Sequence, residues 1–230
     1  MLQIAVILLC VLALFLLKFF LGVNFKQIKA FETRGSEELE KLAEKFPKEE
    51  EICQTILKKL NNENVTIKIE PQYNSCLYTV FNNTITLGKF KQNYMKIQTI
   101  AHECIHSCQN KKIAWSNFLF TNLYLLYFSI VCILAFLNKL PYTEIHTLVL
   151  IFLSIVQYIT RVSLELDAMT KAKYLAQAYI EENKILTKTE EDILLKEYEE
   201  VNSIGVPFEN YYLISMNLIK IIIYAFAAFI

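Results

Sequence analysis

Four runs of apolar residues constrain this chain more than any other feature. Residues 2–23 carry a single charge, Lys18. A bilayer core about 30 Å thick needs roughly 20 helical residues, and this run supplies them. It reads as a retained anchor rather than a cleaved leader. No basic segment precedes it, its apolar part is long, and no small-x-small cleavage site follows. Residues 117–137 and 145–160 form a second and a third run, separated by the turn 138–144. Together they predict a transmembrane hairpin, the third span being short enough to cross only with little tilt. Residues 211–230 carry Lys220 near the middle. A lone central lysine costs a few kcal/mol in lipid. Lys220 therefore faces the bundle interior, or this end lies along the interface. Hydrophobic residues make up 54% of the chain and charged ones only 20%, and these four blocks account for the excess.

Two polar stretches remain. Residues 24–115 hold 14 basic and 11 acidic side chains, and residues 161–210 hold 6 basic and 11 acidic. The formal net charge of the whole chain is zero, which gives no electrostatic reason to expect nucleic acid. A hairpin between the stretches returns them to the same side of the bilayer. Lys26, Lys29 and Arg34 follow the first span, Lys111 and Lys112 precede the second, and Arg161, Lys171 and Lys173 follow the third. The hairpin turn offers only Lys139. The polar stretches are thus expected to be cytoplasmic, with both termini outside. The organisation read from this is an anchor (1–23), a cytoplasmic catalytic part (24–115), a transmembrane hairpin (116–160), cytoplasmic helices (161–210) and a fourth transmembrane or interfacial helix (211–230).

Residues 36–62 read as helical. Ser36 is placed to cap, Glu37, Glu38 and Glu40 sit near the positive helix end, and Pro47 interrupts the pattern. Period-two alternation over 64–70, 76–81 and 84–87 predicts strands, the last two joined at Asn82-Asn83 as a hairpin. Helical periodicity resumes over 89–110 and again over 162–183. Thr187-Lys-Thr-Glu190 has the form of a capping box, opening a further helix to about Asn202. The six cysteines are Cys10 and Cys132 within spans and Cys53, Cys76, Cys104 and Cys108 in the first polar stretch. Cys104 and Cys108, four residues apart on a helix, read either as a metal pair or as filler in a reducing compartment. The sequons at Asn64 and Asn82 matter only if the domain faces a secretory lumen.

Residues 102–106 read His-Glu-Cys-Ile-His. On a helix, residues four apart share a face, so His102 and His106 can turn imidazole nitrogens to one zinc ion, and Glu103 can reach the attacking water. The chain has only three histidines, and two of them fall at this spacing around a glutamate. The third, His146, sits at the membrane boundary of the hairpin and reads as interfacial. A catalytic zinc site needs three protein ligands, so the third is expected to be a carboxylate. Glu165 and Asp167 open the helix after the hairpin, which should deliver both helices to one level. Glu165 is the expected ligand. Asp167 is expected either to orient a ligand imidazole from behind or to pair with the helix dipole. Lys89, Lys91, Lys96, Lys111 and Lys112 flank the motif closely, which argues against a zinc helix buried in the bilayer as in intramembrane site-2 proteases.

Ile-Gln-Thr-Ile-Ala-His-Glu-Cys-Ile-His-Ser-Cys-Gln, residues 97–109, resembles the zinc helix of the YugP-like neutral zinc metallopeptidases, including the Gln three positions after the second His. Glu165-Leu-Asp-Ala168 resembles that family's Glu-Phe-Asp-Ala segment, and Asn83-Thr-Ile-Thr-Leu87 the strand before its motif. HtpX-like membrane proteases share the layout more distantly. The chain departs from the family at Ile105, where Gly is usual, and at Met169, where Ser or Asp stands. The resemblance implies Zn2+ held by His102, His106 and Glu165, a ligand set of the gluzincin type, with Glu103 catalytic. The fold expected is a multi-pass α-helical membrane protein of four spans carrying a zincin-like α+β cytoplasmic domain with a small sheet, in a bacterial-type cytoplasmic membrane. The activity expected is hydrolysis of peptide or membrane-protein substrates. Thr84, Ile85, Thr86 and Leu87 are expected as the edge strand on which an extended substrate lies. No oxyanion donor is singled out: Tyr174 and Tyr179 lie on the helix of Glu165, but the chain has 13 tyrosines. The competing expectation is an inactive, metal-binding membrane scaffold of the same fold. Oligomeric state is not expressed in the sequence.

Overall fold

The computed structural model describes residues 2–33 and 37–230. Ser36, expected as a cap, and Arg34, counted toward orientation, lie outside the described residues. The described residues are mostly helical and include four helices long and apolar enough to cross a membrane. It divides into two compact units: Met1–Asn24, Lys112–Ser163 and Pro207–Ile230 form one, and Phe25–Lys111 with Leu164–Val206 the other.

The first unit is built from the apolar runs. It comprises α1 (Leu2–Phe20), nearly all of α6 (Lys111–Phe136), the first part of α7 (Thr143–Asn183) and the last part of α8 (Lys188–Ala227). Phe15, Phe19, Phe20, Leu119, Leu148 and Phe152 all point outward and are exposed, the surface that a lipid-facing bundle presents. Inside, Tyr124, Val131, Ala135, Leu150 and Tyr224 pack together. Polar side chains pair across helices, as buried polar groups generally do. The Tyr124 and Ser154 hydroxyls bond at 3.0 Å, Asn217 Nδ2 donates to Gln157 Oε1 at 2.8 Å, and the Tyr224 hydroxyl donates to the Thr143 carbonyl at 2.9 Å. Lys220 turns its ammonium over the Tyr124 ring, 4.9 Å from the centroid. His146 Nδ1 meets the Tyr127 hydroxyl at 2.7 Å.

Two helices are longer than their periodicity implied. The third apolar run and the polar helix after it form one continuous α7, because no Gly or Pro interrupts residues 143–183. Likewise α8 does not stop at Asn202 but continues through Pro207 into the fourth apolar run. Proline removes one backbone donor, and the division between the two units on α8 falls at this residue. The capping box at the start of α8 forms as expected: Thr187 N–H donates to Glu190 Oε2 at 3.0 Å and Glu190 N–H to Thr187 Oγ1 at 3.5 Å.

The second unit holds α2 (Phe25–Thr33), α3 (Glu37–Ala43), α4 (Glu49–Lys59), β1 (Thr66–Ile69), β2 (Leu77–Thr79), β3 (Thr84–Leu87), a 3-10 turn (Asn93–Met95) and α5 (Lys96–Cys108), with the adjoining parts of α7 and α8. Ile52, Cys53 and Ile56 of α4, Ile85 and Leu87 of β3, Ile97, Ile100 and Cys104 of α5, Ala168, Ala172 and Ala176 of α7, and Leu194 and Tyr198 of α8 share one core. The alanines recur every four residues, so one face of α7 has no bulk and its backbone can approach its neighbours closely. The oppositely charged stretches also join through ion pairs, Lys45–Glu190 at 2.5 Å and Lys59–Glu182 at 2.6 Å.

The sheet corrects one expectation. Its order is β1-β3-β2, with β1 parallel and β2 antiparallel to β3. Thr66 N–H donates to the Asn83 carbonyl and Glu70 N–H to the Leu87 carbonyl, so the odd-numbered residues of β3 serve β1. Alternation then gives Thr84 and Thr86 to β2. Thr84, Ile85, Thr86 and Leu87 are therefore the middle strand with both edges used, not an edge open to substrate. Period-two alternation identifies a strand but says nothing of which neighbours it acquires.

Candidate metal centre

The motif helix α5 forms because Ile97, Ile100, Ala101, Cys104 and Ile105 make a stripe of helical spacing, all of them buried. With that stripe in the core, His102 and His106 are displayed together on an adjoining face. Ile105, the departure from the family pattern, is a core residue only 6% exposed. The cysteines separate: Cys104 Sγ lies 3.7 Å from Cys53 Sγ in the interior, whereas Cys108 is exposed.

The two imidazoles meet edge to face, their Nε2 atoms 2.9 Å apart. Glu165, on α7, places Oε2 3.3 Å from His102 Nε2 and 3.5 Å from His106 Nε2. The three residues form a group that could hold a metal ion, all their ligand atoms lying within 4.8 Å of one another. Donor atoms about 2.0–2.2 Å from a tetrahedral ion stand about 3.3–3.6 Å from one another. Both histidine–carboxylate distances match that spacing, and the histidine pair needs to open by only a few tenths of an ångström. A carboxylate 7% exposed between two imidazoles is also the donor set such an ion demands.

A chain of hydrogen bonds fixes which nitrogen of His106 faces the centre. Gln109 ends α5 with extended backbone angles (φ −65°, ψ 163°), which returns its side chain toward the helix it leaves. Its amide nitrogen donates to the Leu164 carbonyl at 2.7 Å and to Asp167 Oδ2 at 3.0 Å. Both partners are acceptors only, so the amide cannot be turned over. Its oxygen therefore faces His106 Nδ1, at 2.8 Å, and must accept the proton there. The Nε2 lone pair of His106 is thus left for the centre. Asp167 acts through Gln109, one step further out than the direct orienting bond expected of it, and Lys171 Nζ holds its other oxygen at 2.6 Å. Burial raises the Asp167 carboxyl and the Gln109 and Lys171 bonds lower it, with a net downward shift.

Glu103 is buried, and its Oε2 accepts the backbone N–H of Tyr78 at 2.6 Å. Burial pushes its carboxyl pKa up, His102, His106 and the Tyr78 N–H draw it back, and the Glu165 charge adds to the rise; the net shift is upward. For His106, burial lowers the pKa, but the Glu165 and Glu103 carboxylates and the Gln109 bond raise it, and the net shift is upward. Two groups in this arrangement carry no sequence signal of their role. The Tyr78 N–H is a main-chain donor and any residue would supply it. Gln109 stands in the stretch resembling the metallopeptidase helix, but the resemblance does not say what it bonds. Tyr179 is packed in the core and its hydroxyl is raised to about 12, by burial first and the Glu51 charge second. Tyr174 is 60% exposed beside Lys173.

No protein-family model matches this chain, nor does any curated protein or any solved structure.

Proposed function

We propose that the protein is a membrane-embedded, zinc-dependent endopeptidase, with His102, His106 and Glu165 as ligands and Glu103 as general base. The convergence of Glu165 from α7 on two imidazoles of α5, beside the buried Glu103, carries this reading. Three protein ligands leave a fourth position for water or substrate, which is what separates a catalytic zinc site from a structural one. Zinc bound there would polarise the scissile carbonyl and acidify its water. Glu103 would take the proton of the attacking water and hand it to the departing amine nitrogen. The Tyr78 N–H holds one carboxylate oxygen and leaves the other for that transfer. The resemblance to the YugP-like metallopeptidases supports the same assignment, and Ile105, where that family usually has Gly, is buried in the core.

Since β3 is closed on both sides, the strand edge beside Glu103 is that of β2. The substrate would be an extended peptide or an unfolded membrane-protein segment lying past that edge, whose Tyr78 N–H is already taken by Glu103. The excess of basic residues beside the spans supports a cytoplasmic position for the site, in a bacterial-type membrane. The test is zinc content and hydrolysis of a quenched fluorescent peptide, in wild type and Glu103→Gln. The variant should keep about one zinc per chain and lose roughly 10³-fold or more in turnover. Undiminished hydrolysis would remove Glu103 from the mechanism.

A further inference from the structure

A cavity of about 320 Å3 reaches α5 one helical turn before Glu103, among Asn74, Ser75, Cys76, Phe90, Met95 and Thr99, with Lys89 and Lys91 also lining it. Two of its walls adjoin Glu103. Thr99 lies one helical turn before it on α5, on the same side. Cys76 is two residues from the Tyr78 N–H that Glu103 accepts, and its thiol interacts electrostatically with that carboxylate. The floor is apolar and built into the fold: Cys76, Phe90 and Met95 all pack against the core. Lys96, itself paired with Glu49 at 2.9 Å, lies 6.0 Å from the centre of the Phe90 ring.

The upper wall is held in place by a close backbone approach. Lys89 N–H donates to the Tyr73 carbonyl at 2.7 Å. A Cβ on Gly88 would lie 2.6 Å from that same carbonyl oxygen and closer still to the carbonyl oxygen of Ser75. Only glycine lets the loop before β2 sit against the end of β3. The rim carries positive charge: Lys89 and Lys91 are both exposed, and among the described residues none of those lining the cavity is acidic.

We infer that this cavity is a specificity pocket that takes a large apolar side chain next to the scissile bond, from a peptide segment with carboxylates flanking that side chain. The apolar floor fits the side chain and the two lysines at the rim fit the acidic neighbours. That the ligand is a peptide rests on the peptidase reading above; the apolar–acidic preference rests on the cavity itself.

The test uses the full chain in lipid nanodiscs, zinc-loaded and carrying Glu103→Gln so that bound peptide is not consumed. Fluorescent octapeptides carry a central Leu flanked by Asp or by Lys, with a third having Ala for Leu between the Asp residues; anisotropy gives Kd. The Asp-flanked Leu peptide should bind roughly tenfold tighter than its Lys-flanked counterpart. The double substitution Lys89→Glu with Lys91→Glu should invert that order, and Met95→Trp should abolish the preference for Leu over Ala, both with unchanged zinc content. Equal affinities, or a preference that charge reversal does not move, would overturn the inference. Cleavage by the wild type that ignores the flanking charge would overturn it too, while leaving the peptidase reading intact. Selective binding without any cleavage by zinc-loaded wild type would have the opposite meaning, sustaining the pocket and removing the peptidase.

Discussion

At the scale of single residues, the centre depends on side chains that never touch a bound ion as well as on those that would. Gln109 fixes the His106 ring by accepting its Nδ1 proton, and Asp167 fixes Gln109. Removing such an outer partner typically costs 10- to 100-fold in metal affinity. Gln109→Ala is therefore expected to weaken zinc binding by about that factor, measured by competition with a chromophoric chelator. Because Asp167 reaches His106 only through Gln109, Asp167→Ala added to Gln109→Ala should weaken it little further. Full additivity of the two would show that Asp167 acts on the centre by another route. Glu165→Ala removes the proposed third ligand and should abolish stoichiometric zinc. Equal zinc in that variant and in wild type would place the third ligand elsewhere.

At the scale of elements, two local devices set where α8 begins and where β3 ends. The reciprocal Thr187–Glu190 bonds satisfy helix-end donors that would otherwise lack partners. Thr187→Ala should lower stability by about 1 kcal/mol, read from thermal unfolding. Gly88→Ala should cost more, about 1–3 kcal/mol, because the new methyl group meets main-chain oxygens that cannot swing aside as a flexible side chain would. A Gly88→Ala protein of unchanged melting temperature would mean that the loop before β2 yields freely. Gly205 offers the contrast: its added Cβ would meet only the Met169 methyl, at 3.2 Å, the end of a flexible side chain.

At the scale of the molecule, four apolar helices and a polar unit with its own core predict two behaviours. The core of the polar unit contains neither histidine of the centre, so chelation should strip the metal without loss of far-ultraviolet helicity. Restoring zinc to a thousandfold above Kd should then add about 4 kcal/mol of stability; unfolding on chelation would mark the metal as structural instead. Orientation can be read from the cysteines. Cys108 is exposed and Cys76 half-buried, both in the polar unit, whereas Cys10 and Cys132 lie in apolar helices. A membrane-impermeant maleimide should label the chain in inside-out vesicles and not in intact cells. Labelling from outside would reverse the proposed topology.

The sequence by itself determined whatever depends on neighbours along the chain. Apolar run length marks the four long helices, a four-residue spacing puts His102 and His106 on one face of α5, and Thr187 with Glu190 announces the start of α8. Each of these signals is read within a turn or two of backbone. Tertiary structure alone decided which of the other separated groups meet: that Gln109 stands between His106 and Asp167, that the Tyr78 N–H holds Glu103, and that β3 lies between β1 and β2 rather than at an edge. Alternation in a strand records which side chains face the core, but it is blind to what bonds along the strand's two margins, because those bonds are made by a backbone common to every residue. The same blindness hid the continuity of α7 and α8, since a change from apolar to polar surroundings alters the solvent along a helix without breaking its hydrogen bonds.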